Sequence, residues 1–226
     1  MITGLPSYLI LIFLAAVVLT YQLFISAVKE KKIPTLIMLL WTTLVAVLAY
    51  AGVFTDVSGT PPLFILAVAP PLLFIFYLFS SKKGLAFIDC LDIRKLTLLH
   101  IVRIPVEISL YWLAVHKAVP ELMTFEGRNF DILSGLTAPV IYFIGFTGNR
   151  VKNRTLLLIW NLIALGLLFN IVMNAVLSAP FAFQQYAFNQ PNVAVLFFPF
   201  IWLPSFIVMV VLLSHLAALR QLLKKP

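Results

Sequence analysis

A chain of 226 residues that is 62% hydrophobic and 11% charged carries more apolar surface than a soluble domain can hide, since ordinary globular chains are roughly 45–50% apolar. With a mean hydropathy of +1.07 it reads as an integral membrane protein, so the formal charge of +8 has to be located before it is read as a nucleic-acid footprint. The single cysteine, Cys90, excludes an intramolecular disulfide, and the sequence holds no C-x-x-C, Cys/His cluster or phosphate-loop glycine pattern. No cofactor and no metal are expected on those grounds.

A spanning helix needs about 20 mostly apolar residues. Seven stretches qualify in chain order: Ser7 to Ala27, Ile33 to Phe54, Pro62 to Phe79, Leu96 to Val115, Asp131 to Phe146, Thr155 to Leu177 and Val193 to Leu216. The expectation is an all-α membrane protein, one polytopic domain over residues 1–226 built as a bundle of seven transmembrane helices. The first run has no Lys or Arg before it, while Lys29, Lys31 and Lys32 follow it, so it reads as a retained helix rather than a cleaved signal peptide. The fifth is the shortest; Asn129 and Asp131 supply a plausible N-cap before it and Gly148 and Asn149 a stop after it.

The basic residues set the orientation. Lys29, Lys31 and Lys32, then Lys82, Lys83, Arg94 and Lys95, then Arg150, Lys152 and Arg154, and finally Arg220, Lys224 and Lys225 fall after spans one, three, five and seven. The intervening loops hold only Lys117 and Arg128. By the positive-inside rule the N-terminus lies outside and the C-terminus is cytoplasmic. The positive charge is thus topology and contact with the lipid bilayer, and nucleic acid is not an expected partner. Leu85 to Lys95 has the mixed character of a short helix lying at the cytoplasmic interface. The uncharged, aromatic stretch from Ser178 to Asn192 either rests on the outer membrane surface or folds over the mouth of a cavity.

The fourth span is the unusual one. At about 100° per residue, His100, Arg103, Glu107 and Tyr111 form a single stripe about 80° wide. A charge near mid-span costs about 2.5–3.5 kcal/mol, so Arg103 and Glu107 should face the bundle interior. Their i, i+4 spacing admits two readings, a structural ion pair and a site for a substrate, ion or proton. Pro105 between them cannot donate to the carbonyl of Ile101, so the helix should bend there. On the fifth span Asp131, Ser134, Gly135, Ala138, Tyr142 and Gly145 share a face with small residues spaced for close approach, and spans four and five are expected to pack through it. On the sixth, Gly166, Asn170 and Asn174 share a seam from which Asn161 points away. Pro70 with Pro71, Pro139 and Pro204 lie at similar depth in spans three, five and seven, which hints at three degenerate helical hairpins.

Several chemistries are disfavoured. The seventh span has no Lys for a retinal Schiff base. His100 and His215 both lie toward the cytoplasmic side, where two lone histidines are more often hydrogen-bonded than ligands. Asp131 and Ser134 lie outward of both histidines, which argues against a Ser/His/Asp set.

The segment HIVRIPVEISLYWLAVHKAVPELMTFEGRNFDILSGLTAP, His100 to Pro139, resembles the signature region of a family of uncharacterised bacterial multi-pass membrane proteins. That resemblance implies a bacterial cytoplasmic (inner) membrane and no particular activity. The topology also resembles that of sugar-transporting SWEET proteins, although those use the fourth helix as a linker and here it is the most polar. The leading expectation is a transporter or ion-coupled carrier of a small polar or ionic solute. Its binding candidates are His100, Arg103, Glu107, Tyr111, Asp131, Ser134, Asn170 and Asn174. The alternatives are an intramembrane enzyme acting on a lipid or isoprenoid, with Glu126 and Arg128 of the outer loop as a head-group site, and a non-catalytic receptor-like or assembly subunit.

Overall fold

The computed structural model describes residue 2, residues 4–148 and residues 150–224. Asn149, read above as part of a helix stop, and Lys225, read as part of the basic tail, lie outside the described residues. The described chain is mostly helical: α1 (Ser7–Ala27), α2 (Lys32–Tyr50), α3 (Ile65–Ser80), α4 (Lys82–Asp89), α5 (Ile93–Leu99), α6 (Arg103–Val115), α7 (Ile132–Gly145), α8 (Arg154–Ser178) and α9 (Val208–Leu223), with a two-residue strand pair, β1 (Phe146–Thr147) and β2 (Arg150–Val151), between α7 and α8. The strands are antiparallel, Phe146 opposite Val151 and Thr147 opposite Arg150.

Five helical segments are long and apolar enough to cross a membrane: α1, α2, the run Ile93–Val115, α8 and the run Leu203–Leu223. A sixth is reached only if α3 is counted together with α4, to which it is bent by 91°, and α7 is apolar but shorter. The stretch Leu85 to Lys95, expected as one short helix, is divided: α4 ends at Asp89 and Ile93 begins α5. Ser81 ends α3 in an extended conformation and caps α4 by accepting from the Gly84 N–H at 3.0 Å. A Cβ at Gly84 would lie 2.4 Å from the Leu78 carbonyl oxygen, so the sharp turn requires glycine there. Asp89 at the end of α4 accepts from Arg220 (2.9 and 3.1 Å) and Lys224 (2.8 Å); those cations hold its carboxyl below the usual carboxylate range.

Several boundaries differ from expectation: α3 begins at Ile65 rather than Pro62, the fourth run at Ile93 rather than Leu96, and the last helix runs on to Leu223 rather than Leu216. The second span stops at Tyr50 rather than Phe54, because Gly52 takes a left-handed conformation (φ 77°) and Phe54 enters a 3-10 turn. The last span begins at Leu203 rather than Val193; Pro191 and Pro199 lack the N–H a helical ladder needs, and Ala194–Leu196 forms only a 3-10 turn. From Leu203 to Ile207 the helix widens into a π turn containing Pro204. Ahead of Pro105 the helix tightens into a 3-10 turn, His100–Val102, between α5 and α6, and the Ile101 carbonyl, which Pro105 cannot serve, accepts from the Arg103 N–H instead.

Packing follows the small residues. α1 buries the stripe Leu9, Phe13, Ala16, Thr20, Phe24 and Ala27 against α5 and α6. α7 meets α6 at Gly135, where a Cβ would lie 2.9 Å from Ile104 Cγ1 and 3.3 Å from Arg103 Cβ, and meets α8 at Gly145, where it would lie 2.8 Å from Leu157 Cδ2. Polar side chains inside the apolar runs are mostly returned to their own helix: Thr20, Ser109, Ser205 and Ser214 donate to the carbonyl one turn back at 2.7–2.8 Å. In lipid that local bond removes an otherwise unpaired group. The polar side chains that bond across helices are therefore the exceptions.

Gly135→Leu is expected to destabilise the protein by about 1–3 kcal/mol through overpacking. Gly145→Leu should cost less, because its nearest neighbour is the movable tip of Leu157 rather than the root of α6. Thermal unfolding in detergent reads the order; an unchanged midpoint for Gly135→Leu would contradict the α6–α7 contact.

Candidate functional site

The cross-helix bonds gather around the start of α6. Arg103 is 2% exposed, and its Nη1 donates to Asp131 Oδ1 and, at 3.2 Å, to the carbonyl of Ala164 on α8. Its Nη2 lies 2.8 Å from His215 Nε2 on α9. A guanidinium can only donate, so Nε2 of His215 is the acceptor and the ring proton sits on Nδ1. Nδ1 is 2.8 Å from Asn161 Oδ1 on α8, and Asn161 Nδ2 donates to the Leu157 carbonyl at 2.8 Å. Apart from Arg103 Nε, which has no partner, the bonds in that row run consistently from donor to acceptor. His100 stacks on His215 with ring centroids 3.9 Å apart and planes at 18°, and Trp160 packs edge-on against His100 at 5.3 Å.

One turn further along α6 stands a second buried carboxylate. Glu107 accepts from Asn129 Nδ2 at 2.7 and 2.6 Å, and the same amide nitrogen reaches the Met123 carbonyl at 2.9 Å. Asn129 Oδ1 accepts the Asp131 N–H at 2.9 Å, a short side-chain-to-backbone turn of the kind Asn favours. The loop that carries Asn129 is folded on Thr124, whose carbonyl accepts from Gly127 and Asn129 at 3.0 and 3.2 Å. Asn129 thus joins the Glu107 carboxylate to the segment that presents Asp131.

The expected i, i+4 pair is not formed. Arg103 bonds Asp131 and His215, whereas Glu107 bonds Asn129, because α7 brings a closer carboxylate to the guanidinium. Asp131 also does not cap its helix: it has helical backbone angles and makes no capping bond, its carboxylate being used by Arg103. Tyr111 shares the stripe but stands apart, half-buried and stacked on Phe125 at 5.2 Å. Ser134 is buried one turn along α7. Asn170 and Asn174 form a separate thread, Asn174 donating to Asn170 at 3.3 Å and Asn170 to the Arg128 carbonyl at 2.8 Å. Glu126 and Arg128 are exposed, and Arg128 lies over the Tyr186 ring at 5.8 Å.

Asn129, Asn161 and His215 belong to the site although the stripe and seam arithmetic did not select them. Asn161 points away from the Asn170 seam, as expected, but α8 is packed on that side too, against α7 and α9. Among the described residues no group of three or more His, Cys, Asp or Glu side chains is placed to hold a metal, and two imidazoles stacked face to face cannot aim their lone pairs at one ion.

A chamber of about 120 Å³ borders this cluster, and Arg103, Glu107 and Asp131 line one part of it. The remaining wall is almost wholly apolar, with Leu168, Ile171 and Ala175 from α8 and Ile207 and Val211 from the π turn and α9. The segment that follows α8 borders it: Phe181 and Asn192 are in the wall, and Gln190 fastens that segment by donating to the carbonyls of Ala114 and Val119 at 3.0 and 2.6 Å. Within the stretch Ser178 to Asn192, Ala179, Phe181 and Asn192 border the chamber, while Phe183, Tyr186 and Phe188 are exposed. Among the described residues, His100 Nδ1, Arg103 Nε, Ser134 Oγ and Asn192 Oδ1 are buried without a hydrogen-bond partner. Comparison with protein-family models, with curated proteins and with solved structures gives no match.

Removing one member of a buried ion pair leaves the other unpaired, at a cost of about 3–5 kcal/mol. Arg103→Met should therefore be strongly destabilised, and Arg103→Met/Asp131→Leu should recover most of the loss. Arg103→Met/Glu107→Leu should not, because it leaves Asp131 stranded. Chemical denaturation of the three variants in detergent distinguishes the pairs; rescue by the Glu107 double variant instead would show the wrong partner has been assigned.

Proposed function

We propose that the chain is a seven-span inner-membrane protein, N-terminus outside and C-terminus cytoplasmic, that takes the apolar part of an amphiphile into the chamber and holds its polar end at Arg103, Glu107 and Asp131. The alternation of basic and nearly neutral loops supports the orientation. For α3, turn bonds from Ile65 and Leu66 back to Pro62 and Leu63, both 3.0 Å, extend the coil at its outer end. For α7, 14 residues long, the crossing is short, about 21 Å, and its packing against α6 and α8 supports a buried position.

The observation that carries the ligand class is the contrast between wall and floor. A passage for a small ion or sugar needs polar groups along its length; this chamber offers a continuous apolar wall and ionisable groups in one place only. Ligand sites are commonly built so, with apolar lining for affinity and a few fixed polar groups for orientation. The unused donor on Arg103 and unused acceptor on Asn192 fit a head group that both accepts and donates, such as a carboxylic acid or an alcohol. These features favour the lipid or isoprenoid reading over that of a carrier for a small polar solute. Paired carboxylates beside an apolar cavity are also suited to proton transfer to or from such a molecule.

Mass spectrometry of the organic extract of purified protein tests this. An apolar acid or alcohol should accompany the wild type, disappear from Ala175→Trp, whose side chain fills the chamber, and fall at least about tenfold in Glu107→Gln, the scale of one charge-assisted hydrogen bond. Equal extracts from the folded variants, with loss of uptake of a polar solute in Glu107→Gln, would contradict the proposal and restore the carrier reading.

A further inference from the structure

α2 is held to the bundle chiefly from Trp41 onward, and near its start by a long bond from the Tyr21 hydroxyl to the Thr35 carbonyl at 3.5 Å. Trp41 Nε1 donates to the Ser205 carbonyl at 3.0 Å, and Trp202 Nε1 donates to the Thr42 carbonyl at 3.0 Å. Beyond those crossed indoles Val45 and Ala49 are buried with Phe54, Ala67 and Ile201. On the other side of Trp41, Met38 is the one buried residue of the helix, and Ile33, Leu36 and Leu40 are 71%, 57% and 63% exposed. α2 therefore stands away from α3 over its half nearest the lysine-bearing loops.

The gap is a crevice of about 680 Å³. Ile37 of α2 faces Pro71 and Phe74 of α3, and Phe206 and Val210 form its floor. The π turn and the first turn of α9 thus separate two cavities, since Leu203, Pro204 and Ile207 line the chamber already described. At its loop end the crevice is bordered by Glu30 and Lys83. Lys29, Lys31 and Lys32 flank Glu30 in the chain and Lys82 precedes Lys83, so the mouth is strongly positive despite the one carboxylate. Among the described residues Lys83 is in no salt bridge.

Size and charge select the occupant. A transmembrane helix about 10 Å wide and 30 Å long fills about 2,400 Å³, several times the crevice, which excludes a partner helix from the gap itself. A single hydrocarbon chain is flexible and thin enough to enter it. Amines at the mouth of an apolar slot complement a lipid whose head group is anionic. We propose that this crevice is a binding site for an anionic phospholipid of the leaflet on the lysine side, with one acyl chain between α2 and α3 and the phosphate at Lys83. In the orientation proposed above that is the cytoplasmic leaflet. The site is separate from the amphiphile chamber, and neither depends on the other being occupied.

The test uses the full chain in vesicles of equal phosphatidylglycerol and phosphatidylethanolamine, released into mild detergent and weighed intact with its retained lipid. The wild type should keep phosphatidylglycerol over phosphatidylethanolamine by at least fivefold, the scale of one cationic contact near an anionic surface. Lys83→Gln, at an exposed position, should bring that ratio close to one. Ile37→Trp, on the open face of α2, should reduce both lipids together by filling the slot. Equal retention of the two lipids by the wild type, a preference unmoved by both variants, or a lipid-free dimer would each overturn the proposal.

Discussion

A guanidinium enclosed in the middle of an apolar bundle is the constraint on which the arrangement depends. Placing Arg103 there costs about 2.5–3.5 kcal/mol before any partner is found, and hydrocarbon supplies none. Its partners come from the start of α7 (Asp131), the middle of α8 (the Ala164 carbonyl) and α9 (His215). α6 must therefore sit among all of them. Between helices that meet in lipid there is little hydrophobic drive, so close contact and interhelical hydrogen bonds have to hold the structure. Gly135, which lets α7 approach within contact of the Arg103 Cβ, and the Arg103–Asp131 bond serve the same junction.

The direction of the hydrogen bonds carries this order further. Because Arg103 only donates, His215 must accept with Nε2 and donate with Nδ1, and Asn161 must turn its oxygen to the ring and its nitrogen to the Leu157 carbonyl. Loss of Arg103 would leave the His215 orientation without its determinant. At the other end Asn129 binds both Glu107 and the Asp131 backbone, so the two carboxylates are held by the one loop between α6 and α7. The apolar chamber then has a fixed polar floor, and the π turn at Leu203–Ile207 supplies part of its wall while bordering the crevice between α2 and α3 on its other side.

Much of the architecture was legible because it follows from composition and periodicity. The bounds of α1 and the near-match of α8 need nothing beyond apolar length, and the mixed character of Leu85 to Lys95 marks the stretch where α4 ends and α5 begins. The stripe of His100, Arg103 and Glu107 was legible as buried because charge at mid-span has nowhere else to go. Which groups pair was not: i, i+4 spacing along one helix says nothing about a carboxylate arriving from another, so Asp131 displaced Glu107 as the partner of Arg103. Asn129, Asn161 and His215 were hidden for the same reason, since each joins the cluster through a contact between elements distant in sequence. The late start of the last span was readable in principle from Pro191 and Pro199, but hydropathy alone ran through them.

The Arg103 junction is tested most directly by the side-chain nitrogen spectrum of His215, recorded by magnetic-resonance spectroscopy on the labelled protein in lipid and assigned by comparison with a His215→Gln variant. The account predicts a neutral ring with its proton on Nδ1 and an unprotonated, hydrogen-bonded Nε2. A proton on Nε2, in either the other neutral tautomer or the imidazolium, would contradict it, because no guanidinium could then donate to that nitrogen.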